Sequence, residues 1–111
     1  MLPRANRIVD GEHLRSVSRK GSKFRAASFV AAMVVTDELT PSRFGFIVSK
    51  AVGGAVVRNL VKRRLRALAA EALLDHPQGF DLVVRAQAPS AQASYEQLSA
   101  QWATMMRTLV S

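Results

Sequence analysis

Cysteine is absent from this 111-residue chain. Without thiols there is neither a disulfide framework nor a thiolate metal site, which suits a reducing compartment and predicts a cytoplasmic protein. Aromatic residues make up only 6% of the chain, so a surface that stacks many successive bases would rest on very few rings. No apolar run reaches the ~18 residues that a membrane-spanning helix needs. Arg4 and Arg7 are not followed by the apolar stretch of a secretion signal. No membrane partner is expected. The G-x-x-x-x-G-K-[ST] and G-x-G-x-x-G patterns are both missing, which speaks against a nucleotide cofactor.

Acidic residues are scarce as well. Eight carboxylates face sixteen Lys and Arg, a net charge of +8, and a balance of that sign points to a polyanionic partner. Only Asp37 and Glu38 are adjacent, in a loop without further ligands. No other two carboxylates are spaced to share a metal or an acid–base pair, and His13 and His76 each stand alone. No catalytic site within the polypeptide is expected. The length allows one domain over 1–111 and a single core.

What the chain does have is concentrated between Ser49 and Leu68, SKAVGGAVVRNLVKRRLRAL. This reads as a strand end, a glycine turn and a helix with one basic face. With Arg58 at zero on a helix of 3.6 residues per turn, Lys62 falls at about 40°, Arg66 at about 80°, Asn59 at about 100° and Arg63 at about 140°. Val57, Val61, Leu65 and Leu68 gather on the opposite arc and can dock on a core. Arg64 lies at the border and can bury its stem. A solvated helix face would interleave Glu with Lys or Arg at i,i+4, yet none appears before Glu71. Arg58–Lys62 and Lys62–Arg66 are like-charged i,i+4 pairs that a bound polyanion would offset. Arg also presents a planar fork suited to phosphate.

The rest of the chain supplies the scaffold. Residues 1–9 read as a flexible basic arm. A first helix starts at an Asp10 cap and runs to about Arg19, with Leu14 and Val17 inward and Gly21 after it. Arg19, Lys20, Lys23 and Arg25 form a basic turn. Strands follow at Ser28–Thr36 and Arg43–Ser49, joined by a short turn and expected to pair as an antiparallel hairpin. The basic helix ends near Leu74, a third strand covers Phe80–Ala86, and a last helix runs from Ala91, capped by Ser90, to about Val110. Tyr95, Leu98, Trp102, Met105, Met106 and Leu109 give that helix a core stripe. Phe29 can be read as core or as the floor of a cleft. The order helix–strand–strand–helix–strand–helix is that of an α+β two-layer sandwich.

The stretch from Ser49 to Arg66 resembles the signature of the bacterial ribonuclease P protein. Ser49, Lys50, Val52, Gly53, Ala55, Val56, Arg58, Asn59, Lys62, Arg63 and Arg66 fit its pattern at the right spacing, and Ala51, Gly54 and Leu60 depart from it. The resemblance implies a fourth strand and a left-handed crossover through the basic helix. It also implies an endoribonuclease subunit that helps a catalytic RNA remove the 5′ leader from precursor tRNA. Mg2+ would then be required by the RNA of the holoenzyme, with no cofactor on the protein alone. Lys50, Arg58, Asn59, Lys62, Arg63 and Arg66 become the RNA-binding residues. Leu14, Ser18, Phe29 and Arg85 fall where the family has a leader cleft, with Leu14 and Ser18 standing in place of two aromatic rings. Charge alone leaves a second reading open: a non-enzymatic basic RNA-binding protein of ribosomal or chaperone type.

Overall fold

Asp10 opens the first helix as its spacing predicts: its carboxylate accepts the Glu12 amide at 3.1 Å, and α1 spans Gly11–Lys20. In the computed structural model, which describes residues 2–110, the chain continues through β1 (Ser22–Arg25), β2 (Phe29–Val35), β3 (Arg43–Ile47), α2 (Ala55–Asp75), β4 (Phe80–Ala86) and α3 (Tyr95–Val110). Short 3-10 turns lie at Arg4–Asn6 and Ala88–Ala91. The four strands form one sheet in the order β1-β2-β4-β3. The architecture is α+β: the sheet and the α2–α3 layer enclose the main core, and α1 covers part of the opposite face.

Two expectations about the sheet are corrected. β2 and β3 do not form a hairpin, because β4 lies between them, antiparallel to β2 and parallel to β3. The physical reason is legible afterwards. A strand–helix–strand unit such as β3-α2-β4 favours parallel neighbours, and β4 is buried along nearly its whole length, as a central strand must be. The loop after β2 pairs instead with the segment before β4: Thr36 donates to Gly79, Gly79 to Thr40, and Ser42 to Pro77. The second correction concerns Lys23 and Arg25. They lie in β1, whose pairing with β2 puts Lys23 opposite Ala32 and Arg25 opposite Val30.

The first residues are not a free arm either. Leu2 and Ile8 are buried, Ile8 donates its amide to Phe44 at 2.9 Å, and Arg7 bridges to Phe44 alongside β3. Two apolar side chains in a short basic segment are enough to seat it on the open edge of the sheet. At the far end, Ser90 is buried with its hydroxyl donating to Gln87, so it does not cap α3. Ser94 and Gln97 do so reciprocally, Gln97 N to Ser94 Oγ at 3.0 Å and Ser94 N to Gln97 Oε1 at 2.8 Å, a capping box.

The two faces of the sheet carry separate cores. Phe29, Ala31, Met33, Phe44, Leu82 and Val84 face α2 and α3, where they meet Val61, Leu65, Leu98 and Trp102. Ala32 and Val83 face the other way, toward Ile8, Leu14 and Val17. Gly21 lets α1 pass this close to β2. A Cβ there would lie 2.8 Å from Met33 N and from Val17 O, and 2.9 Å from Met33 O. All three are backbone atoms that cannot swing aside. Gly21→Ala should therefore destabilise the fold by about 1–3 kcal/mol, the usual cost of overpacking, read as a lower midpoint in urea unfolding.

Candidate nucleic-acid interface

α2 carries its basic face as the helical spacing predicts. Val61, Leu65, Leu68 and Ala69 are buried, whereas Asn59, Arg63 and Arg66 are exposed and Arg58 and Lys62 half-buried. Asn59, Lys62, Arg63 and Arg66 line one open depression along the helix. Lys50 is exposed in the turn that leads into it. That turn is held by Val52 N to Ser49 O and Gly53 N to Lys50 O, and Gly53 has a φ of 154°, where a side chain would be strained. Arg58 closes it, donating Nε to the Gly53 carbonyl at 3.1 Å. Arg58 thus shapes the entry to the helix as well as adding charge. Arg64 leaves the basic face altogether, donating to Ala93 O at 2.9 Å and tying α2 to the start of α3.

The electrostatics of this face are one-sided. Among the described residues the ion pairs involve only Asp81, with Arg43 and with His13. None of the α2 cations is neutralised by a carboxylate of a described residue. Such a surface is left to be satisfied from outside, and Arg and Lys in a line suit a phosphate backbone.

A second basic region lies on the other face of the sheet. Register puts Arg25, Val30, Arg85 and Ile47 in one row across all four strands. Arg25 and Arg85 flank Val30 there, their strands about 10 Å apart at the usual inter-strand spacing. Ser18, Lys23, Val30 and Arg85 line a groove floored by Ala32 and Val83. By sequence alone Lys23 and Arg25 group only as a basic turn. The alternation Lys23-Phe24-Arg25 was the available signal, since in a strand it sends both cations to one face.

The four residues placed in a leader cleft do not stay together. Ser18 and Arg85 meet in this groove. Leu14 packs inward with Ile8 and Val17, seated over the notch left by Gly45. Phe29 is 0% exposed and lies beneath the sheet against Trp102, so it cannot line a groove on the α1 side. Phe29 is a core residue and not part of a cleft.

His13 is not a lone surface residue. Its Nε2 lies 2.8 Å from Asp81 Oδ2, and Arg43 donates Nε and a terminal nitrogen to the same carboxylate at 2.9 and 3.0 Å. Asp81 is 3% exposed and, through His13 and Arg43, ties α1 and β3 to β4. His13 and Arg43 are partly exposed and can turn to water if the carboxylate is lost, which limits the penalty. Asp81→Ala should cost about 1.5–3 kcal/mol, the range for hydrogen bonds to charged groups. Thermal unfolding of the variant measures it.

Comparison with known proteins agrees with this geometry. A family model described as Ribonuclease P matches residues 2–110. The ribonuclease P protein component of Kocuria rhizophila is 42% identical over 110 residues, covering 99% of this chain and 96% of the relative. That of Beutenbergia cavernae is 46% identical over 98 residues, covering 88% and 82%. The structure of the Staphylococcus aureus RNase P protein superposes with a TM-score of 0.81 over 95% of each chain, at 24% identity. The RNase P protein from Thermotoga maritima gives 0.77 over 92% of this chain and 96% of its own, at 20% identity. At those identities the two structures speak for the fold.

Proposed function

The chain belongs to the ribonuclease P protein family, and we propose that it binds the catalytic RNA of that endoribonuclease through α2 and assists removal of the 5′ leader from precursor tRNA. The observation that carries this reading is the unneutralised face of Lys50, Arg58, Asn59, Lys62, Arg63 and Arg66 in a chain of this family. Double-stranded RNA is met through its backbone and shape, and guanidinium groups along one helix face suit that contact.

The leader takes the groove of Ser18, Lys23, Arg25 and Arg85 on the opposite face of the sheet. Two RNA segments held on one small basic protein repel each other less than they would in water alone. Phosphodiester cleavage belongs, in this reading, to the RNA subunit, with the Mg2+ it requires. We assign binding and orientation to the protein side of the mechanism; among the described residues no group of three or more His, Asp or Glu side chains is placed to hold a metal ion. In this reading the complex is cytoplasmic; among the described residues no helix is long and apolar enough to cross a membrane. The general ribosomal or chaperone-type reading has no observation in its favour beyond charge.

Reconstitution at low magnesium tests the proposal, following cleavage of a precursor tRNA with a 5′ leader. Protein alone and bacterial ribonuclease P RNA alone should be inactive or nearly so, and the two together active. Cleavage by the protein alone would place an active site in the polypeptide. Absence of stimulation with RNA binding intact would return the general RNA-binding reading.

A further inference from the structure

The N-terminal segment and β3 enclose a small pocket of about 140 Å³ that the α2 depression does not include. Arg7, Val9, Phe46 and Arg66 line it, above buried Leu2 and Phe44. Its chemistry differs from the rest of the basic surface because it contains a ring. Phe29, Phe44, Phe80 and Trp102 are buried. Phe24, Phe46 and Tyr95 are half-buried, and of these Phe46 lines a pocket together with two guanidinium groups. Both Arg7 and Arg66 are exposed, and neither forms an ion pair with a described residue.

The position of Arg7 is built, not incidental. The Ile8 amide bonded to Phe44 and the isolated parallel bridge between Arg7 and Phe44 seat the segment against β3. Buried Leu2 and Ile8 hold it from either side. Arg7 is thereby presented from a fixed backbone toward the helix that carries Arg66. A ring beside two cations, in a pocket of the bulk of one planar group, matches a single unstacked nucleotide. RNA is recognised in this way where a base leaves its helix and lies on an aromatic or guanidinium plane.

We propose that this pocket receives one unstacked nucleotide of the RNA that covers α2, its base on the Phe46 ring and its phosphate between Arg7 and Arg66. The inference rests on the RNA-subunit reading above and adds to it a contact that depends on a base, not on charge.

The test uses the full chain with bacterial ribonuclease P RNA. Ultraviolet crosslinking followed by mass spectrometry of the digested complex should find a nucleotide adduct on Phe46. Phe46→Leu, which keeps an apolar side chain against the core, should bind the RNA roughly 5- to 150-fold more weakly, the equivalent of losing one stacked base. Its salt dependence should match that of the unaltered protein. Phe46→Tyr should bind normally, and Arg7→Ala should lower the salt slope by about 0.7. Unaltered binding by Phe46→Leu, or crosslinks that avoid Phe46, overturns the pocket while leaving the α2 interface standing. If Phe46→Leu does not fold by circular dichroism, the adduct on the unaltered protein decides. Failure of the unaltered protein to bind the RNA at all would instead remove the subunit reading and the pocket with it.

Discussion

Replacing Lys62, Arg63 and Arg66 together with Ala should weaken binding to ribonuclease P RNA by on the order of 100-fold at about 0.1 M salt. Each phosphate contact releases counterions and contributes about 0.7–0.9 to the slope of log affinity against log salt. Three lost contacts flatten that slope by about 2–3, and over the decade of salt between 0.1 and 1 M this amounts to two orders of magnitude or slightly more. These three side chains are the right ones to remove. They line one depression, and their side chains form no hydrogen bond or ion pair with a described residue. Arg58 is less suitable, because its bond to Gly53 O also holds the turn, and Arg64 is committed to Ala93. Stability should be unchanged or slightly higher, since Ala favours helix and the Lys62–Arg66 repulsion disappears. Filter binding across a salt series, with a thermal melt of the same variant, separates the two effects. An unchanged slope would mean that RNA does not contact this face.

Phe29→Ala should give the opposite pattern, a large loss of stability with RNA affinity preserved in whatever fraction remains folded. The ring is 0% exposed, and its centroid lies 6.5 Å from that of Trp102 in a tilted arrangement. It belongs to the same core as Met33, Leu98 and Met105. Truncating such a ring removes its burial and leaves a cavity, together about 3–5 kcal/mol. A domain of this size has about 5–15 kcal/mol in total, so the variant should be marginal at room temperature. Urea unfolding measures the loss. A ring lining a leader groove would behave otherwise: its removal would spare stability and weaken leader binding.

Much of the site was legible in advance because it lies on one helix. Spacing alone put Arg58, Asn59, Lys62, Arg63 and Arg66 on one arc and Val61, Leu65 and Leu68 on the other, and the structure keeps that division. A helix determines its own faces through a fixed rotation per residue, whatever it packs on. The same logic recovered α1 with its Asp10 cap, and the strands at Phe29–Val35, Arg43–Ile47 and Phe80–Ala86. Phe29 was harder. A strand that reads as apolar throughout does not announce which face meets the larger core, and only the register Phe29–Ala86 beside Val30–Arg85 separates the buried ring from the groove.

By itself, then, the amino-acid order determined the unbalanced positive charge, the basic arc of α2 and the identity of most elements. These are properties of composition or of a single periodic segment. The tertiary structure decided what depends on which segments become neighbours. It inserted β4 between β2 and β3, lined up Arg25 with Arg85 across Val30, and joined His13 and Arg43 on Asp81. It also brought Arg7 beside Phe46 and Arg66. Each of these unites residues far apart in the chain, and they meet because burying both faces of β4 and covering the edge of β3 removes more apolar surface and unpaired backbone from water than a local hairpin would.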